Sequence, residues 1–411
     1  MEDLEKSKIV VLGGNRYNLP SIQNLKENGF YTIVIDKVPN SPSFQIADKF
    51  FVIDILDYKS IIVELSKFGK INGVVSMAEV GIISAAKIAE YFHLRGNSEI
   101  VAINVTDKGQ MRKCWTKIPQ HSVDFVIVNS QEKGLESLSK FNFPVVVKPT
   151  QSFGGSRGIM LIHSPAEFPA AFVNAKKGGN ANTEVIIETA VEGREFSAEV
   201  LIENDIISVL CIGEKIKSDF PYRVDMSVMY PAQLDVNIEK EIHQAISLAV
   251  REVGLNWGVA HIEFCLTKNN NIVFFELGAR CGGGHTPLIA KHVSGVDEFV
   301  EYCNMACGLK PNNFIPKYQK SSIYRFIIFD EGEVEEVIFP DVYKNDPRIL
   351  DYEIQVNKGD KIAPLINTSS RSGFLITITD FFQEALNLAD EICQNILIRY
   401  TDNVQKNARI R

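Results

Sequence analysis

Paired cysteines are missing from this sequence. Its seven cysteines are scattered and odd in number, with no C-x-x-C pair, which argues against a disulfide framework and for a reducing, cytoplasmic setting. Long apolar runs are missing too. No stretch reaches the roughly 18 residues of a membrane helix, and the start, MEDLEKSKIVVLGGN, has no signal-peptide core. Basic charge is in short supply, with 43 Lys and Arg against 51 Asp and Glu and a net charge of −8, so no nucleic-acid partner is expected. The seven histidines show no metal-ligand spacing, which argues against a zinc enzyme. Neither G-x-G-x-x-G nor a Gly-Lys-Ser/Thr phosphate loop occurs. Cys281 has no evident paired base and reads as a small buried residue rather than a nucleophile. What remains is 45% hydrophobic and 23% charged over 411 residues, the composition of a globular chain of two to three domains.

Residues 9–94 alternate strand and helix patterns. IVVLGG, YTIVID, KFFVID and INGVVSM read as strands, and SIQNLKENGF, YKSIIVELSKFG and AEVGIISAAKIAEYFH as helices. Such alternation implies a parallel sheet covered by helices. The turn Gly13-Gly14-Asn15 and the strand-ending Asp36 resemble a dinucleotide fold that lacks its glycine fingerprint, so a structural or degenerate nucleotide-fold domain is expected. TDKGQMRKCWTKI then reads as a helix capped by Thr106. FPVVVKP is a strand, SFGGSRGI a loop, and PAEFPAAFVNAKK a helix. TEVIIETAV and REFSAEVLI are strands, and TPLIAKHVSGVDEFVEYCNMACG reads as one helix. A break near LKPNNFIPKYQK precedes a tail of several strands and a final amphipathic helix, FFQEALNLADEICQNILIRY.

The stretch HIEFCLTKNNNIVFFELGARCGGGH carries two glutamates in apolar runs separated by three asparagines, which suit a tight turn. A hairpin centred between Asn269 and Asn270 sets Glu263 opposite Glu276. That register gives one apolar face, with Ile262, Phe264, Leu266, Val273, Phe275 and Leu277. The other face holds His261, Glu263, Cys265, Phe274, Glu276 and Gly278. Opposed carboxylates repel, and a magnesium ion between them would remove the penalty. Two glutamates on a solvated face are the alternative.

Other residues could serve an anion. The loop from Ser152 offers glycine N–H groups and serine hydroxyls, including Gly154, Gly155 and Ser156. Lys148 ends an apolar strand and is expected to point out of the core, toward phosphate or merely toward solvent at a sheet edge. Glu188 and Glu195 flank a turn that could meet a nucleoside or stand free on the surface. Arg280 follows Glu276 by four residues, and could hold a carboxylate or phosphate bidentately. Gly282, Gly283 and Gly284 precede a helix start, an anion-binding arrangement. His285 could bind substrate there or simply occupy the turn.

Taken in order, these pieces resemble the ATP-grasp superfamily over nearly the whole chain. The stretch from VAHIEFCLT through FFELGARCGGGHTPLIAKHVSGVDEFVEYCNMACG, and the tail motif SSRSGFLITI, are similar to its L-amino-acid ligase branch. The resemblance implies a mixed α/β, α+β fold. Residues 1–104 would form a Rossmann-like parallel domain and 105–315 an ATP-grasp domain with a mobile lid at about 120–190. Residues 316–411 would form a small α+β domain. It implies a ligase that joins a small-molecule carboxylate to an amine through an acyl phosphate, using ATP with magnesium or manganese, and a homodimer. Lys108, Lys148 and the loop from Ser152 to Gly158 would meet the phosphates, Glu188 and the backbone near Val191 the adenine, and Glu195 the ribose. Glu263 and Glu276 would hold the metal. Arg280 would stabilise the reacting groups, with Tyr222, Arg223, His261, Gly282, Gly283, Gly284 and His285 around the acceptor. Many members have asparagine two residues after the second glutamate, where this chain has Gly278. Another ATP-grasp reaction (a purine-pathway ligase or a carboxylase) and a non-catalytic nucleotide-binding regulator are the competing expectations.

Overall fold

The computed structural model describes residues 6–152, 157–180, 183–219, 222–318 and 320–409. The first strands are β1 (Lys8–Leu12), β2 (Tyr31–Asp36), β3 (Lys49–Val52) and β4 (Gly73–Ser76), with α1 (Leu19–Glu27), α2 (Tyr58–Phe68) and α3 (Ile82–Tyr91) between and after them. They form a parallel sheet in the order β3-β2-β1-β4. Residues 9–12 of β1 and 32–35 of β2 are buried because helices cover both faces. The turn after β1 is closed on itself. Gly14 N–H donates to the Asp36 carboxylate at 2.8 Å, and the Ser41 hydroxyl donates to the Gly14 carbonyl. The groups a dinucleotide would need are thus engaged within the turn.

Two helices follow, α4 (Glu99–Thr106) and α5 (Lys108–Trp115). Asp107, not Thr106, caps α5: its carboxylate accepts from Gln110 N–H at 2.9 Å. Thr106 ends α4 and its hydroxyl donates back to the Ala102 carbonyl. Next come β5 (Phe125–Val128), α6 (Gln131–Ser137), β6 (Val145–Pro149), β7 (Met160–Ile162), α7 (Phe168–Gly178) and β8 (Val185–Thr189). These strands make a small antiparallel sheet, β5-β8-β6-β7, with its own core under α7.

The third sheet positions the site. It uses β9 (Gly193–Glu203), β10 (Ile206–Lys217), β11 (Asp225–Tyr230), β12 (Trp257–Thr267) and β13 (Ile272–Gly278), with α8 (Val236–Glu252) inserted before β12. The segment expected to be one helix after β13 is two, α9 (Thr286–Ser294) and α10 (Glu298–Ala306). Gly295 breaks it in the left-handed region at φ 74°, and Asp297 caps α10. The tail gives β14 (Ser321–Ile327), β15 (Gly332–Ile338), β16 (Ile349–Ile354), β17 (Lys361–Ile362), β18 (Gly373–Thr379), α11 (Phe382–Asn395), β19 (Leu397–Tyr400) and β20 (Gln405–Asn407). Three tail strands join the third sheet, whose order is β13-β12-β9-β10-β11-β14-β18-β16, all antiparallel. The remaining tail strands form a fourth sheet, β17-β15-β19-β20. The final helix ends at Asn395, because the β-branched, aromatic run after it pairs as β19. Among the described residues no helix is long and apolar enough to cross a membrane.

The hairpin has the expected register at the glutamates and a different one beyond them. Asn270 takes the left-handed conformation at φ 60°, and Asn270 N–H closes the turn on the Thr267 carbonyl. Pairing then runs Leu266 to Ile272 and Phe264 to Phe274, slips by one residue, and resumes at Glu263 opposite Glu276. The bulge at Phe275 inverts the faces between it and the turn, so that Val273, expected on the apolar face, pairs with Cys265 on the other. Phe274, expected beside the acids, enters the core, and Phe275, expected in the core, lines the cavity.

Candidate functional site

On β12 and β13, Ile262, Phe264, Leu266, Ile272, Phe274 and Leu277 pack behind the sheet with Trp115 of α5 and Ile242 and Ile246 of α8. Alternation turns His261, Glu263 and Glu276 to the opposite face, the floor of a cavity of about 1430 Å³. Each glutamate there is met by a lysine. Lys215 on β10 reaches Glu263 Oε1 at 2.5 Å, and Lys108, the first residue of α5, reaches Glu276 Oε1 at 3.1 Å. Burial alone would raise both carboxyls. Lys215 and His261 hold Glu263 well below the usual range, and Lys108 lowers Glu276. Burial would likewise lower Lys108, but Glu276 and Glu79 raise it. The like charges are therefore balanced by cations. Both lysines contact Oε1, so each carboxylate keeps a second oxygen. Among the described residues no three His, Cys, Asp or Glu side chains gather to hold a metal.

Beside His261 on the same face, Glu199 on β9 is fully buried and joins two elements. It meets His261 Nδ1 at 2.5 Å and accepts from Gly282 N–H at 2.9 Å. Burial would lower His261, but Glu199 outweighs it and holds the imidazole at about 9. Arg280 bends back over Gly278, where a Cβ would stand 3.5 Å from Arg280 Cγ. Its guanidinium donates to the Cys281 carbonyl at 2.9 Å and to Glu79 Oε2 at 3.0 Å. Glu79 follows β4, so the parallel sheet contributes this acid to the cavity. Burial and Glu276 raise its carboxyl.

The small sheet forms the facing wall. On β6, Val145 and Val147 enter its core while Val146 and Lys148 face the cavity. Lys148 is buried and pairs with Glu188 at 2.7 Å. Arg112, one helical turn beyond Lys108, donates to the same carboxylate through Nε at 2.7 Å and to the Phe274 carbonyl through Nη1 at 2.5 Å. Burial would raise Glu188, but Arg112 and Lys148 bring it down to about 2. Burial and Arg112 lower Lys148, against the pull of Glu188. Val146, Leu161 and Val191 line an apolar part of the cavity beside these charges. Glu195, on the rim, meets Arg223 at 2.6 Å and Lys217 at 3.1 Å.

Most of the residues singled out in the sequence line this one cavity. Lys108, Lys148, Ser152, Glu188, Val191, Glu195, Tyr222, Arg223, His261, Glu263, Glu276, Arg280, Gly283 and Gly284 all do so. Gly282 and His285 are exceptions: Gly282 N–H is taken up by the buried Glu199, and His285 is turned away. It is packed behind the wall against Tyr17, Tyr324 and Phe374, because the helix start at Thr286 turns its ring into that aromatic cluster. Gly154, Gly155 and Ser156 lie outside the described residues. Sequence reasoning missed Glu79, Arg112, Lys215, Lys217 and Arg371. Arg112 was legible as the i+4 partner of Lys108, and Lys215 and Lys217 as alternate residues on one strand face. Glu79 had no local signal, and Arg371 lies within the tail motif SSRSGFLITI, in which nothing points to a place in the cavity.

Three family descriptions match in tandem: a PylC-like N-terminal domain over residues 9–101, an ATP-grasp domain over 141–287, and the L-amino acid ligase C-terminal domain 2 over 325–401. An L-arginine-specific L-amino acid ligase of Bacillus subtilis is 22% identical over 328 residues, 76% of each chain. A formate-dependent phosphoribosylglycinamide formyltransferase of Hahella chejuensis is 22% identical over 409 residues, 97% of each chain. The crystal structure of an L-amino acid ligase from Bacillus licheniformis superposes with a TM-score of 0.82 at 21% identity, covering 96% of this chain and 99% of that one.

Proposed function

Because the chain belongs to the ATP-grasp superfamily and resembles its L-amino-acid ligase branch, we propose that it is an ATP-dependent carboxylate–amine ligase joining amino acids or amino-acid-like substrates. The observation that carries this reading is the floor itself: Glu263 and Glu276 face each other, each with a lysine on one oxygen, and Arg280 stands beside them. In this reading the apolar part of the cavity takes the adenine, Glu195 the ribose, and Lys108 and Lys148 the phosphates. The free oxygens of Glu263 and Glu276 suit magnesium, which commonly takes one or two carboxylates and completes its shell with phosphate oxygens and water. Gly278 supplies no third ligand, and Arg280 covers that position. Bound there, magnesium would neutralise charge on the transferring phosphate.

The chemistry needs position and charge more than a protein nucleophile. The substrate carboxylate attacks the γ-phosphate of ATP, giving an acyl phosphate and ADP. The amine then attacks the acyl carbon, phosphate leaves, and an amide remains. Arg280, fixed by Glu79 and the Cys281 carbonyl, would place a guanidinium where negative charge develops on the acyl oxygen. ADP and phosphate should appear only when a carboxylate and an amine substrate are both supplied, in a screen of amino-acid pairs. AMP and pyrophosphate would exclude the acyl-phosphate route. Glu276→Gln should lower kcat on the order of 100-fold or more with the fold intact by circular dichroism, and an unchanged rate would remove Glu276 from the site.

A further inference from the structure

We propose that the tail carries a second anion subsite, in which Arg371 receives the carboxylate of the amine substrate while the rest of that substrate lies on Tyr324, Phe326 and Phe374. The inference rests on the ligase reading above and identifies the amine substrate as an amino acid. Its basis is the continuity of the large sheet. Strands β14 and β18 are hydrogen-bonded into the same eight-stranded sheet as Glu263 and Glu276, and their cavity-facing side chains continue the same floor. Along that floor the chemistry changes strand by strand. Acids stand on β13 and β12, Lys215 and Lys217 on β10, and aromatic rings on β14 and β18.

Arg371 sits just before β18 at the aromatic end. Its guanidinium lies 3.5 Å over the Phe326 ring. Nε and Nη2 donate to the Asp225 carbonyl at 3.1 and 2.8 Å. A fork held flat on a ring and pinned along one edge is pre-set to receive a planar anion on another. Among the described residues no partner meets Nη1, and the arginine lines the cavity beside Asn367, Thr368 and Ser369. The Asp225 carboxylate stands 3.7 Å from Nη2 and is itself paired with Lys217 at 2.7 Å, which leaves the charge of Arg371 to meet an added anion. Three strand spacings of about 4.8 Å separate β12 from β11. That span accommodates a phosphate over the glutamates, the bond being formed, and one amino-acid unit whose carboxylate meets the reach of Arg371.

The test is steady-state kinetics at saturating ATP and carboxylate substrate, varying the amine as the free amino acid and as its carboxamide. The wild-type protein should prefer the acid. Arg371→Gln should raise KM for the acid on the order of 10- to 100-fold, erase the preference over the amide, and leave kcat and KM for ATP within about twofold. Arg371→Lys should restore part of the preference, since charge returns without the fork. If Arg371→Gln slows acid and amide alike, or shifts KM for ATP instead, Arg371 only supports the fold and the subsite is wrong. A wild-type preference for an amino-sugar phosphate over every amino acid would overturn the carboxylate assignment. Wild-type turnover with an unmoved amine KM in Arg371→Gln sinks the subsite alone, whereas no ADP release from any pair sinks the ligase reading and the subsite with it.

Discussion

At the scale of residues, the cavity is organised by buried ion pairs. Glu188 is the extreme case, since one carboxylate holds Arg112 and Lys148 with almost no exposure. Its folded value of about 2 lies below the ordinary 4.5. The stabilisation is therefore present above about pH 4.5 and is lost as pH falls toward 2, and it amounts to about 3 kcal/mol on the order of magnitude. Glu188→Gln would leave two buried cations uncompensated, at a cost of about 3–5 kcal/mol. Urea denaturation at pH 7 should show that loss, and the gap between variant and wild type should narrow at pH 3. Equal midpoints at pH 7 would contradict the assignment. The sequence exposed only part of this arrangement. Lys148 was recognisable from its place in an apolar strand and Glu188 from its turn. That the two neutralise each other depends on β6 and β8 being neighbours, which no local pattern encodes.

At the scale of elements, period-two alternation made the acidic face of the hairpin readable, and the pairing of Glu263 with Glu276 followed from the three asparagines. The bulge at Phe275 was not readable. A single extra residue leaves the composition unchanged while moving two phenylalanines to opposite faces. The turn offers a direct check. Asn270, at φ 60°, occupies a conformation that costs a β-branched residue about 1–2 kcal/mol and glycine nothing. Asn270→Val should lower the thermal midpoint and Asn270→Gly should hold or raise it; the reverse order would mean that the turn relaxes. The helix break at Gly295 shows the same limit. Apolar periodicity runs through the glycine, and only the cap at Asp297 marks the restart.

At the scale of the whole molecule, the sheet crosses the boundary near residue 316 that the linker-like composition suggested. Strands β14, β18 and β16 are the far end of the sheet that carries the glutamates, and α11 seals their reverse side through Leu388 and Ile392 against Ile323 and Leu375. A chain ending at residue 320 should therefore expose the edge of β11 and self-associate, as size-exclusion chromatography would show. A monomeric, folded fragment would mean that the tail is an appendage. Sequence pattern gave the tail its strands and final helix, but which sheet they enter is a long-range choice that spacing does not specify.

Arg112 has a mechanical meaning. One end of its guanidinium is on the carbonyl of Phe274, in the large sheet, and the other on Glu188, in the small one. The large sheet is a single slab from the glutamates to the aromatic end, so its two regions cannot approach each other without shearing rungs of backbone hydrogen bonds. Any movement of the small sheet relative to that slab would have to be accommodated at Arg112, which spans the two. A rotation about Arg112 would preserve both contacts, whereas a slide would break them.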